Sequence, residues 1–410
     1  MLPGESSNRA VPPALGSRGS IDALPDGVLE HILGFLLAPE AVRTCVLARR
    51  WRHLWMSAPG LRVGCVGNDV QHDPPRVEEY RELVDRLLLL RRGSPLDTCD
   101  IRLGMFKYDD VPRLNAWFWH IISCKVRLLT LRNHWAYYLV LHDLPLVSKH
   151  LTRLELRGVW LPSSFLDFSS CPALEYLELF TCILLGKNIL SDSLKHLSIT
   201  DSQCHGVFCT CIYAPNLVSL RLDGLQFSSP TLDSMPSLVE AFVRITEDYE
   251  NVCDNSSETD ILDCLCESCD SARGATGNGC VLFKGLSEAK SLVLTCTAYD
   301  SVLFKWDLKC CPAFSKLKSL VLNEYWCVPD DFGPLVCILQ LSPVLEELSL
   351  ELFSEGPKYE VDMKGSISPM ERSATISEHL NVVKVKCQAV DERVLEILKL
   401  LCTFNIRFDF

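Results

Sequence analysis

The sequence predicts an α/β fold: a three-helix N-terminal unit, then a solenoid whose curved parallel sheet gains one strand per repeat, with helices and loops on its convex side. Three observations predict it. An amphipathic helical stripe runs from Ile21 to Trp55, the hexad LxxLxL recurs along most of the remaining chain, and a proline stands shortly before many copies. With 410 residues, 48% of them hydrophobic, the chain can bury one or two cores and is too apolar to be mostly disordered.

Residues 1–19 hold Pro, Gly, Ser, Glu5 and two arginines without a continuous apolar core, so a flexible leader is expected rather than a secretory signal. Behind it Pro25 can open a helix on which Val28, Leu29, Ile32, Leu33 and Leu36 share one face, although Gly27 and Gly34 weaken it. Pro39 marks a second start, and Val42, Cys45 and Val46 continue an apolar face up to the basic turn at Arg49 and Arg50. Trp51, Leu54 and Trp55 repeat the spacing. A unit of about 40 residues rarely buries enough surface to stand alone. Part of its apolar surface is therefore expected to be covered by another chain, as when a helix fills a groove.

A helix is expected from Val77 to Leu90, and the hexads follow. The clearest copies start at Leu151, Leu174, Leu194, Leu217, Leu317 and Leu345. Their fourth positions Leu154, Leu177, Leu197 and Leu220 stand 23, 20 and 23 residues apart, and Leu292, Leu320 and Leu348 stand 28 and 28 apart. These are periods of leucine-rich repeats. LxL alternation makes a short strand with one buried face, and only stacked copies can hide that face. Pro172, Pro215, Pro236 and Pro343 each precede a first leucine by two residues, and Pro312 precedes Leu317 by five. Each fixes an extended approach to its strand and donates no hydrogen bond.

Alternate strand residues point the opposite way from the leucines. Arg153, Glu155, Arg157, Tyr176, Glu178, Phe180, His196, Arg221, Asp223, Asn323, Glu347 and Glu351 are therefore expected on the concave face as target-binding candidates. Tyr176 and Phe180 stand out among them, because exposed aromatics are enriched in binding hot spots.

The stretch from Asp22 to Trp55 resembles the F-box of plant F-box proteins. The Leu24-Pro25 pair, the stripe of Val28, Leu29, Ile32 and Leu36, and the closing segment RRWRHLW occur in order and at the usual separations. The CPALEYLEL and APNLVSLRL units resemble leucine-rich repeats of the same proteins, and HLNVVKVKCQAVDERVLEILKLLCTF resembles the FBD segment that often ends them. The resemblance implies a layout of F-box at 20–60, helical linker at 61–95, leucine-rich repeats at 96–375 with an acidic, cysteine-containing insertion at 246–280, and an FBD-like repeat at 376–410. That last repeat is expected to be truncated or capped by the apolar tail Ile406 to Phe410. It also implies docking on a Skp-family adaptor, and through it on a cullin ligase, by Leu24, Pro25, Val28, Leu29, Ile32, Leu36, Val42, Val46, Trp51 and Leu54. Sequence does not divide these between adaptor-facing and core roles. The implied function is substrate recognition in an SCF-type ubiquitin ligase, with the repeats binding a target protein. The alternative is a non-degradative repeat scaffold.

Other classes are disfavoured. The 21 cysteines are odd in number on a long chain with no sign of export, so reduced thiols and a cytoplasmic or nuclear location are expected, with Cys171, Cys182 and Cys327 as core residues. Much of the net charge of −12 sits between Thr246 and Ala272, where nine Asp or Glu occur with no Lys or Arg. Without a clustered basic stripe, neither nucleic acid nor an anionic membrane is an expected partner. The densest apolar run, Leu87 to Leu90, falls far short of the roughly 20 residues a membrane helix needs. Cys253, Cys264, Cys266, Cys269 and Cys280 include one CxxC pair, but the second pair is irregular, so no metal and no cofactor is expected. No GxSxG, phosphate loop or HExxH occurs, and a non-catalytic protein is expected.

Overall fold

The computed structural model describes residues 21–64, 74–104, 106–134, 137–204, 210–225, 230–246, 282–296, 311–327, 332–352, 361–367, 376–388, 390–404 and 406–409. The expected leader and the cysteines between Cys253 and Cys280 lie outside the described residues.

Pro25 holds the extended backbone just before helix α1 (Asp26–Leu33), which buries Leu29 and Leu33. Pro39 sits in the first turn of α2 (Ala38–Arg43). The apolar face expected to continue through Cys45 and Val46 is not α-helical. The chain tightens there into a 3₁₀ turn, Thr44–Val46, where the Thr44 hydroxyl donates to the Ala41 carbonyl oxygen at 2.7 Å. Such a local bond competes with helix continuation. The expected third helix is a 3₁₀ turn, Arg49–Arg52, followed by a single α-turn, α3 (Leu54–Ser57). Trp51, Leu54 and Trp55 all point inward, and Trp55 Nε1 donates to the Arg52 carbonyl oxygen at 3.1 Å.

The body is one 14-stranded, mostly parallel sheet. Strands β1 (Gly60–Gly64), β2 (Thr98–Leu103), β3 (Leu128–Asn133), β4 (Arg153–Arg157), β5 (Tyr176–Phe180), β6 (His196–Thr200), β7 (Ser219–Leu225), β8 (Glu240–Ile245), β9 (Ser291–Cys296), β10 (Ser319–Asn323) and β11 (Glu347–Leu352) lie in chain order. Of the last three, β12 (Val361–Ile367), β13 (Val382–Cys387) and β14 (Ile406–Asp409), β13 pairs parallel with β11. The far end departs from the expected parallel sheet, because β12 runs antiparallel to both β13 and β14. β1 also lies at and beyond residue 60, where an F-box boundary and a helical linker are expected, and pairs with β2 throughout its length.

Register explains the core. Leu154, Leu177, Leu197 and Leu220 face one another across successive strands, as do Leu292, Leu320 and Leu348. Every leucine of the six clear hexads is at most 2% exposed. Cys171, Cys182 and Cys327 are fully buried beside them, as small apolar residues would be. No disulfide joins any two of the 13 described cysteines.

Helix α4 (Pro74–Arg91) covers the expected 77–90 segment, and α5 (Val111–Ser123) buries Leu114, Trp117, Phe118 and Ile121 in the same core. α6 (Gly333–Gln340) precedes β11, and α7 (Glu392–Thr403) follows β13. The Asp391 carboxylate caps α7 by accepting from the Val394 amide at 2.8 Å.

Candidate functional site

Two surfaces are open to a partner. The first is the helical unit at the β1 end. Its predicted contact residues divide by burial. Pro25, Val28 and Val46 are exposed, whereas Leu24, Ile32, Leu36 and Val42 are half-buried. Leu29, Trp51 and Leu54 are buried among this chain's own residues, which places them on the core side of the division that the sequence leaves open. The structure adds Phe35 at 57% and Leu47 at 68% exposure to Val28 at 43% and Val46 at 83%. Phe35 and Leu47 lie off the apolar stripe, whereas Val28 and Val46 belong to it and are exposed all the same. With Ile21 at 51%, five large apolar side chains of this small unit stand in the open.

Several contacts fix this unit to the sheet. Arg50 Nε donates to the Asp26 carboxylate at 2.6 Å and its Nη2 to the Leu24 carbonyl oxygen at 2.7 Å, tying the closing segment to the start of α1. Gly34 and Gly60 touch backbone to backbone; a Cβ on Gly34 would come within 2.8 Å of the Gly60 nitrogen. Leu37 makes a parallel bridge to Arg62 on β1. The buried Arg91 at the end of α4 donates to the carbonyl oxygens of Trp55 at 3.0 Å and Ala58 at 2.7 Å.

The second surface is the sheet face opposite the leucines. Of the predicted residues, Arg157, Arg221 and Glu347 are exposed, and Arg153, Glu155, Tyr176, Glu178, Phe180, His196, Asn323 and Glu351 are half-buried. Asp223 departs from this pattern. It is 3% exposed, with its carboxylate held between Arg221 and Arg244 at 2.5 Å each, so it positions arginines instead of meeting solvent. Asn323 spends its side-chain amide on the Cys296 backbone, donating to the carbonyl oxygen at 2.7 Å and accepting from the amide at 3.1 Å.

Planar groups order the middle of this face. Tyr176 and His196, partners in register, stack with ring centroids 4.3 Å apart, and Arg153 lies over the outer side of Tyr176 at 5.4 Å. Arg157 covers Phe180 at 4.4 Å and Arg221 covers Phe242 at 4.0 Å. Such stacking stiffens the side chains and removes part of the entropy cost of binding. Arg153 also donates to Glu155 at 2.7 Å and Glu178 at 2.6 Å, and its pKa is raised; burial opposes that rise, but the bond to Glu155 and the charges of Glu178 and Glu155 outweigh it. At the β13 end Ser319, Val321, Glu347, Ser349, Glu351, Lys384 and Lys386 line a groove of about 380 Å³.

Among the described residues no helix is long and apolar enough to cross a membrane, and no group of three or more His, Cys, Asp or Glu could hold a metal ion. No family model matches the chain. Curated proteins of Arabidopsis thaliana do match. One F-box/LRR-repeat protein is 28% identical over 382 residues, covering 82% of this chain and 69% of its own length. A second F-box/LRR-repeat protein is 30% identical over 262 residues, covering 54% of this chain and 81% of its own. An FBD-associated F-box protein is 27% identical over 337 residues, covering 74% of this chain and 75% of its own.

Proposed function

The chain belongs to the F-box/LRR-repeat family, and on that premise we propose that it is the substrate-recognition subunit of a Skp-cullin-F-box type ubiquitin ligase, working in the cytoplasm or nucleus. The helical unit at 21–57 is the F-box, and its exposed apolar residues Val28, Phe35, Val46 and Leu47 meet a Skp-family adaptor. The sheet face opposite the leucines holds a target protein. The single observation that carries this reading is the division of the unit: Leu29, Leu33, Trp51, Leu54 and Trp55 are buried in the fold, while Val28, Phe35, Val46 and Leu47 stay exposed.

No catalytic group is required of such a receptor. It raises the effective concentration of a target lysine near an activated ubiquitin carried by other subunits. The contacts from Gly34, Leu37 and Arg91 serve that role by holding the adaptor-binding unit at a fixed place on the sheet.

A pull-down with a Skp-family adaptor tests the proposal. Val46→Glu and Leu47→Glu together place two charges on exposed positions without touching the core. The wild type should retain adaptor and cullin; the double variant should lose both while keeping its fold by circular dichroism. Undiminished adaptor binding by the folded variant removes the proposed docking surface.

A further inference from the structure

The register of the sheet brings together three arginines that no single hexad reveals. Arg102 on β2 pairs with Arg132 on β3, and Arg132 pairs with Arg157 on β4. The three occupy the last outward position of neighbouring strands, so at about 4.8 Å per strand they form a row roughly 10 Å long. Gly64 stands at the same position on β1, where a Cβ would come within 2.8 Å of the Arg102 Cβ; the absent side chain leaves Arg102 its room.

Like charges set side by side on a sheet repel, and here their neutralisation is incomplete. Arg102 donates to Asp100 at 2.9 Å. Arg132 reaches Glu155 only at 3.6 Å, and that carboxylate is already engaged by Arg153 at 2.7 Å. Arg157 rests on the Phe180 ring and has no carboxylate within ion-pair distance among the described residues. The outward positions of β1 to β4 carry Arg62, Arg102, Arg132, Arg153 and Arg157 against Asp100 and Glu155, and Arg153 reaches one further carboxylate, Glu178 on β5, which leaves an excess of two positive charges on a chain whose net charge is −12. His134, one residue beyond β3, registers the field: its pKa is lowered by burial and then by Arg157, Arg132 and Arg102.

We infer that this arginine row is the docking site for an acidic, Asp- or Glu-rich segment of the target protein, which lies across β2, β3 and β4 beside Phe180. The inference deepens the proposed target-binding role of the sheet face and names the chemistry it selects. Guanidiniums recognise anionic motifs through charge-assisted hydrogen bonds. Spread along a line, three of them fit several single charges spaced along a chain better than one compact dianion.

The test uses the full-length protein and three short fluorescent peptides in a Gly/Ser context: one Glu-rich, its Gln-for-Glu analogue, and one with a lone phosphoserine. The Glu-rich peptide should bind, weaken as salt rises, and lose about tenfold or more in affinity in the Arg132→Ala, Arg157→Ala variant. The Lys384→Ala, Lys386→Ala variant, altered at the other end of the same face, should bind it as the wild type does. Binding should also raise the His134 pKa, followed by the imidazole proton shifts. Equal loss in both variants, no binding by the wild type, or tighter binding of the phosphoserine peptide overturns the assignment. Adaptor capture by the Arg132→Ala, Arg157→Ala variant should be undiminished, so failure here is separate from failure of the ligase reading.

Discussion

The Arg91 guanidinium donates to the Ala58 carbonyl oxygen at 2.7 Å from a position only 2% exposed. Its other terminal nitrogen takes the Trp55 carbonyl oxygen at 3.0 Å, so one side chain from α4 satisfies two backbone acceptors where α3 ends. Helix ends leave such carbonyls without intrahelical partners. Burial pulls the Arg91 pKa down, with the nearby Cys124 and Cys99 acting the other way. Arg91→Met should therefore cost roughly 3 kcal/mol, since two buried acceptors lose a charged donor. Arg91→Lys should recover only part of this, because a point charge cannot reproduce the planar fork. Urea unfolding measures the cost, and faster amide exchange across 26–57 shows that it falls on the helical unit.

Gly34 and Gly27 sit on or beside the same helix and should respond to alanine with opposite signs. A Cβ on Gly34 meets the Gly60 nitrogen at 2.8 Å, backbone that cannot step aside, so Gly34→Ala should destabilise by about 1–3 kcal/mol. Nothing lies within 4 Å of a Cβ on Gly27, so Gly27→Ala should stabilise by roughly 0.5–1 kcal/mol through helix propensity. Thermal midpoints of the two variants decide it; equal shifts would mean that the Gly34–Gly60 contact does not form.

Particular residues show why some of this was legible in the sequence. Alternation fixes which side a strand residue takes, so Leu154, Leu177 and Leu197 could be assigned to the core from spacing alone. GLRVG at β1 carries no hexad, so the repeat pattern does not mark it as a strand. In the helical unit periodicity is less decisive. The stripe that picks out buried Leu29 also picks out exposed Val28, while Phe35 and Leu47 lie off it and add to the open apolar surface. The same alternation turns Asp223 toward solvent, but two neighbouring arginines close over its carboxylate. The Arg102, Arg132 and Arg157 row depends on strand register, which no one repeat encodes.

Asp223 makes a further prediction. Its carboxylate accepts from Arg221 and Arg244 at 2.5 Å each, and it is buried while both arginines are about half exposed. Asp223→Ala frees two guanidiniums that water can reach, so the loss should be moderate, on the order of 1–2 kcal/mol, rather than that of a fully buried pair. The pair also holds Arg221 over Phe242. A double-mutant cycle between Asp223→Ala and Arg244→Ala should return a coupling near 1 kcal/mol; additive effects would show that the bridge contributes nothing.

The buried thiols make stability depend on alkaline pH. Burial pushes Cys182 from an ordinary 9.0 up to about 11, and Cys327 up to about 12. A thiol whose pKa is higher in the folded than in the unfolded chain keeps its proton longer when folded. Its contribution is complete below the ordinary thiol value and is lost as pH rises through 9 toward 11 and 12. For Cys182 the loss is roughly 3 kcal/mol. Cys182→Val removes the titration while keeping an apolar side chain, so the fall in urea midpoint between about pH 9 and pH 11 should be smaller in the variant than in the wild type. Among the described cysteines, thiol labelling at neutral pH should modify exposed Cys402 first and leave Cys182 and Cys327 protected until denaturant is added. An unchanged alkaline slope in Cys182→Val would show that this thiol does not titrate with unfolding.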